Sequence, residues 1–195
     1  ERAMLTWLIL LPALAAVVVM LIPRRRSELI LPVGVMLSVL PLGLAGYMFA
    51  VFEPVAGYQF VERADWYEAW GISWYLGVDG ISMPLVVLTA LLVPIALAAS
   101  TAITERRKEF VVYTLLLEAA TIGVFLALDL FFFFVFFEAV LVPMYFIIGI
   151  WGSERRKYAA IKFFLYTAFG SALLLAGIIS LSVLHASRTG SSSFA

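Results

Sequence analysis

The chain has 195 residues, 64% of them apolar, and a mean hydropathy of +1.07, well above the roughly 45–50% apolar content of a soluble domain. That composition predicts a membrane protein. No cysteine, one histidine (His185) and a formal charge of +0 exclude disulfides, thiolate or iron–sulfur ligation and a basic nucleic-acid-binding face, and the sequence has no phosphate-binding glycine loop.

Crossing about 30 Å of hydrocarbon takes about 20 mostly apolar residues. The first such run is 4–22. Its positive flank, Arg24 to Arg26, follows the apolar stretch, so a retained helix is expected rather than a signal peptide. The second run is 30–52. A long connection, 53–81, carries Tyr58, Phe60, Trp66, Tyr67, Trp70, Trp74 and Tyr75, side chains suited to the membrane–water boundary. Within it "GISWYLGVDGIS" partly alternates and predicts a short strand or hairpin, with Asp79 as a turn residue. The third run is 82–103.

The fourth run, 110–128, contains Glu118, with Thr114 and Thr121 on the same helix face at i, i+4 and i+7 spacing. Asp129 reads as an outer-edge helix cap. The fifth run, 130–151, holds "FFFFVFFEAVLVPMYF", in which Glu138 is the single carboxylate. Pro143, five residues on, lacks an N–H and leaves the Ala139 carbonyl without its helical donor, beside Glu138. The sixth run is 158–184. Lys162 lies a turn inside its end and is placed to snorkel, Gly170 and Gly177 suit close helix packing, and "SRTGSSSFA" reads as a terminal loop. The predicted fold class is an all-α polytopic membrane protein: six transmembrane helices in one domain over 1–195, with the outer interfacial loop 53–81 between helices 2 and 3.

The short loops alternate in charge. Arg24 to Arg26, Arg106 to Lys108, and Arg155 to Lys157 with Lys162 supply ten of the 13 basic residues. Arg2, Arg63 and Arg188 fall on the opposite side, together with Glu53, Glu62, Asp65, Glu68 and Asp79. Basic loops favour the cytoplasmic side, so both ends of the chain are expected outside.

An ionisable group inside a span costs roughly 2.5–3.5 kcal/mol on insertion scales for Asp, Lys or Arg. Glu118 and Glu138 both fall near their helix midpoints and are too short to reach water. A carboxylate beside an open carbonyl is a place for water and a proton, the logic of a proton relay. A neutral carboxyl bonded across helices meets the same cost, so the residues alone leave both readings open.

"GVDGISMPLVVLT" (77–89), "IGVFLALDLFFFFVFFEAVLVPMYFIIGIWG" (122–152) and "RRKYAAIKFFLYTAFGS" (155–171) together resemble a known family. It is the amino-terminal part of the antiporter-like subunit M, or chain 4, of proton-pumping NADH:quinone oxidoreductase, respiratory complex I. Glu138, Pro143, Trp151–Gly152, Tyr158, Lys162, Tyr166 and Gly170–Ser171 fall at the family's spacing. The resemblance implies a partial antiporter-like fold in which Glu138 is essential for proton translocation and pairs with a lysine on a broken seventh helix. Glu118, where relatives often carry a polar residue, and Lys162 join it as candidates for translocation. NADH, FMN, iron–sulfur clusters and quinone are expected in partner subunits and no cofactor in this chain. The implied partners are the other membrane-arm subunits, the lipid bilayer and protons, in a bacterial plasma membrane.

Family members are more than twice as long and contain inverted repeats. The chain is therefore expected to be a fragment lacking the carboxy-terminal half of the fold, with Met4 a natural start. Two other readings compete: a subunit of a multisubunit cation/proton antiporter that shares the helix-5 glutamate, and a structural membrane module in which Glu118 and Glu138 are neutral packing groups.

Overall fold

The computed structural model describes residues 3–67 and 71–189. Arg2, Glu68, Trp70 and the tail beyond Thr189 lie outside the described residues, as do the side chains of Arg24 and Arg188. Six helices are present: α1 (Met4–Leu21), α2 (Ser27–Ala50), α3 (Ser82–Ala99), α4 (Arg107–Leu126), α5 (Leu130–Trp151) and α6 (Arg156–Thr189). Each is long and apolar enough to span a bilayer. The sixth runs past the predicted end at 184 to Thr189, with no proline or glycine between Leu184 and Gly190 to stop it. Between α2 and α3, β1 (Gln59–Tyr67) pairs antiparallel with β2 (Ile72–Val78).

α4 is the central element and packs against α1, α2, α3 and α5, whereas α6 packs chiefly on α5. Lipid tails are as apolar as leucine, so helices associate in a bilayer by close fit rather than by escape from water. Small residues set that fit here. A Cβ on Gly34 of α2 would collide with Val111 of α4, and one on Gly123 of α4 with the Phe136 ring of α5. The apolar core divides in two. One cluster joins Leu5, Leu8, Met48, Met83, Ile122 and Leu126 near the hairpin, and the other joins Ala16, Val19, Ile30, Leu97, Val111 and Leu115 towards the far end.

At the hairpin end three helices begin, and each has amides with no intrahelical acceptor and the positive end of its dipole. A carboxylate meets each one. Glu62 of β1, 8% exposed, accepts from Leu5 N (2.6 Å), Thr6 N (3.1 Å) and Thr6 Oγ1 (2.5 Å) at the start of α1. The indole of Trp74 donates to the same Thr6 hydroxyl at 2.9 Å. Asp79 accepts from Ile81 N (3.0 Å) and Ser82 N (2.7 Å) ahead of α3, while its own amide donates to Ser82 Oγ. Asp129, fully buried, accepts from Phe131 N (2.9 Å) and Phe132 N (3.2 Å) of α5 through one oxygen, and from Ser73 N of β2 (3.0 Å) through the other.

The hairpin is thus bonded to two helix starts and continues directly into a third. Its aromatic side chains add a second attachment: Trp66 and Trp74 lie 5.4 and 5.0 Å from the Phe132 ring. Tyr75 O accepts from Leu128 N at 2.9 Å, and Gly77 lets the strand approach Leu128, whose side chain would lie 2.7 Å from any Cβ there.

The opposite end carries the basic loops. Lys108 Nζ donates to Ile22 O (2.8 Å), tying the start of α4 to the α1–α2 connection, and Trp151 Nε1 donates to Glu105 O (2.8 Å). Arg156 donates to Ile150 O, where the last carbonyls of α5 lack helical donors.

Asp129→Ala removes a cap and leaves the buried Ser73 amide without its acceptor, which should cost about 2–3 kcal/mol and lower the melting temperature in detergent. Unchanged melting would show the cap to be dispensable. The amide of Ser82 above all, joined by that of Ile81, holds the Asp79 carboxyl below its ordinary 3.8, and together they outweigh an opposing desolvation. The folded value lies below the unfolded one, so this cap contributes fully above the unfolded pKa and is lost as pH falls through the folded value. The melting-temperature gap between the native chain and Asp79→Ala should therefore narrow below about pH 4; a gap that widens there would contradict the assignment.

Candidate functional site: two carboxylates on opposite sides of α4

Contacts between α4 and α5 set a register. Gly123 meets Phe136, Tyr113 stacks on Phe146 with ring centroids 4.9 Å apart, and Phe110 meets Trp151 edge-on at 5.2 Å. These antiparallel pairs put Leu141 level with Glu118, and Thr121 level with Glu138. At about 1.5 Å per residue, Glu118 lies about 2 Å and Glu138 about 4 Å from the midpoints of their helices, both towards the hairpin. The predicted mid-span depth of both carboxylates follows from the helix bounds.

Height is all they share. Glu118 belongs to the stripe Val111, Leu115, Glu118, Ile122, spaced by three and four residues and therefore on one face. Val111 touches Gly34 of α2, Leu115 joins Ala15 and Leu97, and Ile122 joins Leu5 and Met83. That face looks into α1, α2 and α3. The residues of α4 that meet α5 lie on the other side. Glu118 is 1% exposed and neither of its oxygens makes a hydrogen bond to a described residue. Thr114, predicted to share its polar face, is buried, but its hydroxyl donates to Phe110 O in the preceding turn at 2.9 Å.

Glu138 lies on the stripe that continues through Tyr145 and Gly149, at i+7 and i+11. Tyr145 packs on Phe164 of α6 with centroids 5.7 Å apart, and Gly149 meets Ala160 of α6. Glu138 therefore points towards α6, level with Ser171, which is 4% exposed. The residue is partly exposed, and its Oε1 is enclosed without a hydrogen-bond partner among the described residues. Pro143 is buried one turn on, within the helix. The same contacts put Lys162 level with residue 147, about 14 Å along the axis from Glu138. Lys162 is exposed, two residues from the α5-facing Ala160 and so on the far side of α6, with Nζ 5.8 Å from the centre of the Tyr158 ring. Within this chain neither Glu118 nor Lys162 approaches Glu138.

Ser171 reached the site in the sequence only through the family's Gly–Ser pair, because a lone serine in an apolar run carries no signal of depth. Among the described residues no three His, Asp or Glu side chains gather in a way that could hold a metal ion.

Two family models match the chain. That for the amino terminus of NADH-ubiquinone oxidoreductase chain 4 covers residues 4–127, and that for the transmembrane region of NADH:quinone oxidoreductase/Mrp antiporter covers residues 127–193. NADH-quinone oxidoreductase subunit M of Rhodobacter capsulatus is 49% identical over 135 residues, which is 69% of this chain and 26% of that protein. NADH-ubiquinone oxidoreductase chain 4 of Marchantia polymorpha is 40% identical over 178 residues, 90% of this chain and 36% of its own length. A chain of respiratory complex I from Thermus thermophilus with bound NADH superposes with a TM-score of 0.82 at 30% identity, over 97% of this chain and 37% of that one. This chain thus spans little more than a third of each relative at most. Matched over 4–127 and folded into six apolar helices, it is a multi-pass membrane protein that belongs to the NADH-ubiquinone oxidoreductase chain 4, or subunit M, family.

Proposed function

We propose that the chain is the first six-helix part, a single transmembrane domain, of a proton-translocating membrane subunit of NADH:quinone oxidoreductase, and that Glu138 is the side chain through which it takes up and releases protons. One observation carries this reading: Glu138 has an enclosed, unbonded oxygen near mid-span, next to the carbonyl that Pro143 leaves open. An unpaired carboxylate at that depth is too costly to persist, so it is held either by a proton or by a counter-charge. Moving a cation towards or away from it switches between the two states, which is how a displaced charge drives proton uptake and release.

The side of α5 that bears Glu138 also bears α6, and the far side of α6 presents Lys162 with Tyr158 and Tyr166 in an open groove. Lys162 is then a cation directed at a neighbouring part of the machinery, handing charge outward rather than pairing with Glu138. Redox chemistry, with NADH, FMN, iron–sulfur clusters and quinone, belongs to partner subunits. The other membrane-arm subunits and lipid surround this chain. The basic ends of the helices face the cytoplasm of a bacterium, with the hairpin and both ends of the chain outside. The cation/proton antiporter reading has less support, because the model matching residues 4–127 is described for chain 4 alone.

In the full-length subunit assembled in its complex, Glu138→Gln should abolish most NADH-driven proton transport into inverted membrane vesicles while the complex still assembles. Normal transport by that variant would remove Glu138 from the path.

A further inference from the structure

The two apolar clusters leave a layer between them, and Glu118 lies in it. On α4 one cluster ends at Leu115 and the other resumes at Ile122. On α1 the break falls between Ile9 and Ala15, where Pro12 is buried. On α3 it falls between Ala90 and Leu97, where Pro94 is buried, and on α2 between Leu31 and Ala45, where Ser38 and Pro41 are buried. The contact of Gly34 with Val111 puts Pro41 level with Glu118 along the parallel pair α2 and α4. The contact of Lys108 with Ile22 puts Pro12 at about the same height along the antiparallel pair α1 and α4.

Each proline withdraws an amide from the carbonyl four residues earlier, on the same helix face, so Leu8, Leu37 and Ala90 lose their helical donors. Buried carbonyls at this depth have to be satisfied within the protein or by trapped water. What the layer lacks is donors. The polar groups that α1 to α3 and Glu118 bring to it are three carbonyls, two carboxyl oxygens and a Ser38 hydroxyl whose proton is already given to Val35 O at 2.8 Å, and the Thr121 hydroxyl of α4 at the same height belongs to a partly buried residue. No charged residue lies in α1 or α3, and in α2 Glu28 is confined to the first turn, so no side chain of these helices can supply a proton at this height.

We propose that Glu118 forms a second proton-holding site, enclosed within α1 to α4, in which its carboxyl and the carbonyls released by Pro12, Pro41 and Pro94 bind ordered water. A water supplies two donors and a protonated carboxyl supplies one, which matches the shortage. A buried water needs two to four polar partners, and this layer offers them. The site stands on the packing of α1 to α4 alone and is separated from Glu138 by the body of α4.

Infrared spectra of the intact complex, with and without isotope-labelled glutamate, test it. The native complex should show a protonated-carboxyl stretch that Glu118→Gln deletes and that moves down soon after transfer to heavy water. Pro94→Ala, which restores an amide donor to the Ala90 carbonyl, should shift that band while the complex remains assembled. A native spectrum from which Glu118→Gln deletes no such band, or a band that stays unshifted in heavy water as long as the core amides do, would overturn the site; a Glu118 band that ignores Pro94→Ala would remove the prolines from it. Glu138→Gln should leave the band in place, so failure of the Glu138 reading and failure of this one are told apart.

Discussion

Three helix starts, closed by three carboxylates, hold this bundle in register. Lipid offers no hydrogen bonds, and the first amides of a helix have no acceptor of their own, so each helix that begins near the hairpin needs an oxygen from elsewhere in the chain. Glu62 supplies it to α1 from a strand 57 residues away, Asp79 supplies it to α3, and Asp129 supplies it to α5 while also holding β2. Negative charge at these ends also complements the helix dipoles. Because these attachments fix where α1, α3 and α5 begin, they set the depth at which Pro12, Pro94 and Glu138 come to lie. The aromatic run of α5 has a place in the same arrangement: Phe132 receives Trp66 and Trp74, and Phe136 fills the space that Gly123 leaves open.

Much of this was legible in the sequence because it depends on composition over long windows. Six apolar runs and alternating loop charge give the helices and the two ends of the bundle, and Asp129 announces itself as a cap by standing just before an apolar run. β1 was not legible, since Glu62, Arg63 and Asp65 interrupt any alternating apolar pattern and only Glu62 among strand residues is buried. Its capping of α1 is a contact across the chain that no local pattern encodes. The facing of Glu118 and Glu138 was equally hidden. Both sit in runs where nearly every residue is apolar, so periodicity cannot say which side is which, and the pairing of Gly34 with Val111 settles it for Glu118 and those of Tyr145 with Phe164 and Gly149 with Ala160 for Glu138.

That facing shapes the functional account. A single path from Glu118 to Glu138 would have to cross the body of α4, the most enclosed helix of the bundle. The two carboxyls are instead separated by location. Glu118 is sealed among four helices, at the height of Pro12 and Pro41, and Glu138 opens towards α6 and what packs beyond it. An exposed Lys162 on the outer side of α6 lies in the direction of transfer proposed for Glu138, away from α4.

The most direct measurement is a cryo-electron density map of the intact subunit within its complex, at a resolution that shows ordered water. The account predicts Glu138 within hydrogen-bonding distance of water or of a cationic side chain from a neighbouring element, joined to a chain of polar groups that leaves the α5–α6 interface. A Glu138 carboxyl bonded only to Ser171, in a dry apolar setting with no polar continuation, would contradict it and make the residue a packing group.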